Sequence, residues 1–248
     1  AVEWLQALAA EESPELASHA RHFLREMHCE DTVERFRDFI GAFNYELETG
    51  FLLLSSALDP KLEPSDCCLF LDRMAERVQQ LTIEPASPVQ MCRTLNRVMF
   101  HEYGFAGARN DFYHPDNSLL NRVLERRRGI PIALSVIYIL VAQRCGFSLE
   151  PVGMPGRFIV GCFQEDLPFY IDVYDKGCFR SVEQLEELLM ANHIRPQPVH
   201  LSPASTGDVL IRMCRNLVNQ LNRSGQTRKA ELFNQFIDAF EETYQRHS

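Results

Sequence analysis

Between Arg128 and Arg144 the chain carries a largely apolar run of thirteen residues, Ile130–Ala142. Ile132, Leu134, Val136, Ile137, Ile139, Leu140 and Val141 fall on every side of a helical wheel. A helix here offers no face to water, so it should be buried on most sides. A membrane span needs about 20 such residues, and this run is too short for one. Pro131 stands at the first helical turn, where its missing N–H costs nothing and its fixed φ is already helical. The sequence therefore predicts a core built around a buried helix entered at Pro131.

Upstream the pattern is amphipathic and helical. Phe36, Phe39, Ile40, Phe43 and Leu47 recur at three- and four-residue spacing, which predicts one helix. Leu69, Phe70, Met74 and Val78 mark a second, beginning near Ser65-Asp66. Ser87-Pro88-Val89-Gln90 is a capping box with proline in the first turn. Its helix runs through Met91, Leu95 and Val98 and should stop at Gly104, with a loop to Pro115. Asp116 or Asn117 is expected to cap a helix through Leu119, Leu120, Val123 and Leu124 that stops at Gly129.

Beyond Gly146 the period changes from helical to alternating. Residues 157–163 and 169–174 predict two antiparallel strands turning around Gln164–Pro168. Alternation puts Phe169, Ile171 and Val173 on one face and Tyr170, Asp172 and Tyr174 on the other. A second capping box, Ser181 to Gln184, opens a helix through Leu185, Leu188 and Leu189. Arg195–Gly207, with three prolines, is a linker candidate. Two amphipathic helices follow, lined by Leu210, Met213, Leu217 and Leu221 and by Ala230, Phe233, Ile237, Phe240 and Tyr244, with Ser224-Gly225 at the turn. The fold class is α+β and mostly helical. Residues 1–195 form a helical region and core, the core proper spanning about 87–195, and 206–248 form a helical hairpin packed on it.

Composition narrows the function. The net charge of −9 opposes nucleic acid and anionic membrane as partners, because both require concentrated Lys and Arg. Eight cysteines sit mostly singly in apolar patterns, with no spacing suited to zinc, so neither a metal site nor a cofactor is expected. No glycine-rich phosphate loop is present. The first thirty residues alternate charged and apolar positions, unlike a signal peptide, and the expectation is a cytoplasmic protein with reduced thiols.

A further set of residues carries a resemblance. It includes Gly104-Phe105, Asp111-Phe112-Tyr113, Asn117-Ser118, Val123-Leu124-Glu125-Arg126-Arg127, Gly129-Ile130-Pro131-Ile132, Pro155-Gly156 and Ile171-Asp172. With the helix pair downstream, this text resembles the SirB-type bacterial family, which joins a transglutaminase-like core to a tetratricopeptide-like tail. The resemblance implies the layout of a cysteine protease: a Cys at the start of a buried helix, a His on the next strand and an Asp on the one after. In such a site the helix N-terminus lowers the thiol pKa, the imidazole takes the proton and the carboxylate orients the imidazole.

Carried over by motif, the Cys position falls at or beside Pro131, where the family itself usually has proline. The His position falls at Arg157, since the family's Pro-Gly-His-Phe reads Pro155-Gly156-Arg157-Phe158 here. Arginine stays protonated and cannot act as a base. Only the acid, Asp172, is retained, and on adjacent strands it can pair with Arg157. No triad catalysis is expected.

Other candidates have plainer readings beside the functional ones. Arg126-Arg127-Arg128 with Arg122 could bind an acidic peptide or phosphate, but such a run more often stabilises a helix C-terminus in solvent. His114-Pro115-Asp116-Asn117 could line a cleft, though a turn and cap is the simpler reading. His19, His22, His28 and His101 lie in helical patterns without paired ligands. Cys162 falls on the strand face opposite Arg157, and Cys145 lies at the far end of the buried helix; both read as structural thiols. Asn117, Arg127, Arg157, Tyr170 and Asp172 are the candidate binding residues. The favoured function is non-catalytic binding of a protein or peptide. The alternatives are a hydrolase or amide-bond-forming enzyme using Ser135 or Cys162, and a small-molecule sensor. Ser135 is expected to bond back to a helix carbonyl.

Overall fold

A computed structural model describes residues 32–164 and 168–247. The expectations placed on the first thirty residues, on Cys29, His19, His22 and His28, and on the tip of the 164–168 turn lie outside those residues.

The first helix, α1, covers 32–41 and is shorter than the spacing predicts. Phe43 takes a left-handed φ of 54° and stacks on His247 at 4.3 Å. Glu46 then starts α2, Leu47–Leu58, by accepting the backbone N–H groups of Glu48 and Thr49 at 2.9 and 2.6 Å. Leu47 belongs to this new helix because a side-chain cap breaks the run. Helix α3, Pro64–Leu81, buries Cys67, Leu71, Met74, Ala75 and Val78, which leaves Leu69 exposed rather than in the core. Helix α4, Pro88–Asn96, opens on the predicted capping box. It continues as a π-helical turn, Arg97–Glu102, and ends before Gly104 at φ 72°.

Two corrections concern the approach to the buried helix. Neither Asp116 nor Asn117 caps α5, Leu120–Arg126. Residues Pro115–Ser118 form a 3₁₀ turn instead, and the buried Ser55 hydroxyl of α2 accepts the Leu120 N–H at 2.9 Å. Helix α5 stops at Arg127 in a left-handed conformation, φ 56°, ahead of Gly129. Arg128–Gly129 (β2) pairs in parallel with Ala106–Gly107 (β1) inside the region read as loop. The Tyr174 ring packs where a side chain on Gly107 would stand, and its hydroxyl donates to the Ala108 carbonyl at 3.0 Å.

Helix α6, Pro131–Arg144, follows with Pro131 in its first turn and every residue from Ile132 to Ala142 buried. Burial of each large aliphatic side chain contributes about 1.5–3 kcal/mol, which makes this helix the main apolar contribution to the core. The expected strand pair is part of a four-stranded antiparallel sheet: β3 Glu150–Val152, β4 Ile159–Cys162, β5 Phe169–Asp172 and β6 Cys178–Arg180, in that order. Val160 opposes Ile171. Phe158, Val160, Cys162, Ile171 and Val173 face α6 and the main core. Ile159 and Tyr170 face a smaller cluster with Leu185 and Leu189 of α7, Val182–Ala191.

The proline-rich segment 195–207 is tied down and does not act as a free linker. Its Leu201 is buried in the smaller cluster, the Tyr170 hydroxyl donates to the Leu201 carbonyl at 3.1 Å, and Ala204 N–H donates to the Pro151 carbonyl at 2.8 Å. Helices α8, Thr206–Arg223, and α9, Thr227–His247, turn at Gly225, φ 75°. Leu210, Met213, Leu217, Phe233, Phe236 and Phe240 belong to the same core as α6. The buried Ser118 hydroxyl donates to Gln220 Oε1 at 2.7 Å, fixing α8 beside the start of α6.

Candidate functional site

The resemblance directs attention to Pro131, Arg157 and Asp172, and local structure explains where each stands. Gly156, at φ 71°, turns the chain so that Arg157 N–H donates to the Met154 carbonyl at 3.1 Å just before β4. Asp172 ends β5. Its carbonyl accepts from Asp175 and Gly177, and its Oδ1 accepts from Asp175 N–H at 3.2 Å, so it heads a tight turn. Its Oδ2 accepts from Arg157 Nη1. The pair is lopsided: the Asp172 side chain is 3% exposed and that of Arg157 40%. The Arg157 guanidinium thus covers a buried carboxylate and keeps one flank open.

That open flank borders a cleft of about 240 Å³ lined by Phe112, Ile130, Pro131, Ile132, Gly156, Arg157, Phe158, Arg212 and Asn216. Pro131 and Arg157 share it, and Asp172 lies behind Arg157. None of the lining side chains is a thiol, hydroxyl, carboxylate or imidazole. Arg212 and Asn216 come from α8 and were not singled out in the sequence. They are one helical turn apart on its polar side, and only the docking of α8 brings them to the start of α6. Arg212 Nη2 donates to the carbonyls of Met154 and Arg157 at 3.1 and 2.7 Å, and its guanidinium stacks 5.4 Å from the centre of the Phe158 ring. Burial lowers its pKa below the ordinary arginine value, leaving it charged.

The remaining predicted residues are not gathered here. Asn117 is fully buried, donates to the Asp111 carbonyl at 2.6 Å and accepts from Arg126 at 3.1 Å. Its own carbonyl receives Ile130 N–H at 3.0 Å, so it positions the start of α6 from inside. Arg127 stacks on Phe70 at 4.2 Å and lines a separate cleft of about 290 Å³ with Leu124. Tyr170 borders an apolar pocket of about 550 Å³ with Phe163, Leu189 and Leu201 on the other side of the sheet. The arginine run is internally engaged: Arg126 pairs with Asp111 at 2.6 Å and Arg122 with Asp59 at 2.9 Å. His114 does line a cleft, of about 550 Å³, beside Tyr113, whose ring lies 3.7 Å from the Arg223 guanidinium.

The alternative nucleophiles are sealed in. Ser135 and Cys162 are both fully buried. The Ser135 hydroxyl does not bond back to a carbonyl as expected and has no hydrogen-bond partner among the described residues. Burial also raises the Cys145 thiol to about 11 and the Cys92 thiol to about 12. Among the described residues no group of three His, Cys, Asp or Glu side chains is placed to hold a metal ion, and no helix is long and apolar enough to cross a membrane.

This arrangement, a buried helix followed by Arg157 in the turn before β4 and Asp172 at the end of β5, coincides with a sequence match. The model of a transglutaminase-like superfamily domain matches residues 66–215. A "UPF0162 protein" of Xylella fastidiosa (strain Temecula1) is 32% identical over 166 residues, which is 64% of this chain and 58% of that protein. A namesake from Vibrio cholerae is 23% identical over 182 residues, 72% of this chain and 67% of the relative. Human "F-box only protein 21" is 30% identical over 159 residues, 61% of this chain but 25% of its own length. The match thus spans just over half of the Xylella relative and a quarter of the human one. No solved structure matches the chain. By its sequence from 66 to 215, the chain belongs to the transglutaminase-like superfamily.

Proposed function

We propose that this is a non-catalytic, SirB-type member of the superfamily, in which the site of the lost triad binds a protein or peptide and the α8–α9 hairpin serves as a tetratricopeptide-like tail. The observation that carries this reading is the Arg157–Asp172 pair: by the resemblance these positions correspond to base and orienting acid, and arginine cannot accept a proton. Pro131 at the nucleophile position removes the thiol as well. The hydrolase or amide-bond-forming alternative requires a nucleophile and base within about 3.5 Å in an open cleft, and the buried Ser135 and Cys162 do not offer one. A core that forms a quarter of a longer protein, as in human F-box only protein 21, also suits a module that presents a surface.

The test is affinity capture from native extract with the intact chain and with Arg157→Ala. A partner held by the intact chain and lost from the folded variant supports binding at this site. A partner retained by both would place binding elsewhere and overturn the assignment of the cleft.

A further inference from the structure

The charges around the cleft do not cancel. Arg157 is neutralised by Asp172, whereas Arg212 forms no ion pair with any described carboxylate. Two acids share a neighbouring cavity with Arg212, and both are engaged elsewhere. Asp208 accepts from the Ser205 hydroxyl at 2.7 Å, and Glu241 meets Arg215 at 3.4 Å. Arg212 uses one nitrogen, Nη2, on its two carbonyl partners. A guanidinium held in place by carbonyls and an aromatic ring, with donors left over, is preorganised to take a planar anion.

We infer that the cleft receives the C-terminal carboxylate of a peptide, held by Arg212 with Asn216 and the free flank of Arg157 beside it. Charge selects the anion: one unmatched positive charge suits a carboxylate and is too little for a doubly charged phosphate group. Size selects the end of a chain. At about 240 Å³ the cleft is smaller than the roughly 300–1,000 Å³ of pockets that enclose a whole small ligand, so it takes a terminal group whose remainder extends outside. Phe112, Pro131 and Phe158 give that group an apolar wall, which favours an apolar last residue. This inference rests on the reading of the cleft as a binding site and adds the chemistry it recognises.

The experiment titrates the full chain, isotopically labelled, with three N-acetylated trialanine probes: the free acid, its carboxamide, and a carboxamide carrying Glu at the middle position. Binding is followed through the arginine Nε–H signals. The free acid should shift the Arg212 signal and bind at least about tenfold more tightly than either amide, as loss of a charge-assisted contact implies. Arg212→Gln should abolish the difference, with thermal unfolding confirming that the variant is folded, and Arg228→Gln on the exposed start of α9 should leave it intact. Asn216→Ala, which disturbs no carbonyl contact of Arg212, should weaken the free acid alone. Equal binding of acid and carboxamide would overturn the carboxylate inference while leaving the cleft a peptide site. Equal binding of the Glu-containing amide would overturn recognition of a chain end. Absence of binding by all three would overturn the inference, and capture of a partner that depends on Arg157 would still uphold the broader reading.

Discussion

Asp172 is the residue on which the proposed site turns. Its carboxylate is buried, and among the described residues its side chain accepts from Arg157 and from the Asp175 N–H alone. Arg157→Ala should therefore destabilise the protein by about 1–3 kcal/mol, less than for a fully buried pair because the arginine is partly open to water. For a chain of this size that is a fall in Tm of about 2–4 °C per kcal/mol, read by calorimetry. No change in Tm would contradict a stabilising role for the pair. Ser135 supplies the opposite case. Its buried hydroxyl has no partner among the described residues, so Ser135→Ala should lie within about 0.5 kcal/mol of neutral or stabilise slightly. A loss above about 2 kcal/mol in denaturant titration would reveal a hydrogen bond there.

At the scale of elements, helix starts are set by side chains, and some of these are distant in sequence. Glu46 caps α2 locally. Partial burial pushes its pKa up, but hydrogen bonds from Thr49 and Glu48 and the charge of Arg144 outweigh this and lower it. A lowered folded value means that its contribution is present above the ordinary carboxylate pKa and disappears as pH falls through the folded value. Glu46→Gln should then cost stability at pH 7, with the cost shrinking below about pH 4 when unfolding is followed across that range. An undiminished cost in acid would contradict a charged cap. The capping boxes at Ser87 and Ser181, the buried run after Pro131 and the strand pair at 159–162 and 169–172 were legible because each is a local pattern. The cap on α5 was not, since Ser55 lies 65 residues upstream of Leu120. Arg212 and Asn216 were missed for the same reason: only tertiary docking makes them part of the cleft. The break at Phe43 was missed because its apolar spacing continues across a cap.

For the whole molecule, the decisive fact is that α8 and α9 share one apolar core with α6 and the sheet. Removing 206–247 should therefore expose that core and abolish cooperative thermal unfolding; a truncated chain with a sharp transition would show the tail to be separable. The core also fixes the alkaline limit. Burial raises the Cys67, Cys92 and Cys145 thiols to about 11, 12 and 11, whereas an unfolded thiol titrates near about 8.5. Raised folded values give a contribution that is whole below the unfolded pKa and is lost as pH climbs toward the folded ones. Resistance to urea should hold to about pH 8 and decline between about 9 and 12, and a flat profile there would contradict buried thiols. The central claim, that the superfamily's catalytic site here binds without reacting, is tested most directly by capturing a partner through the cleft and measuring its intact mass after incubation with the protein. A partner recovered unchanged in mass, and absent when Arg157→Ala is used, is the expected result. A partner cleaved or deamidated by the intact chain, with the change abolished by Ser135→Ala or Cys162→Ala, would contradict it.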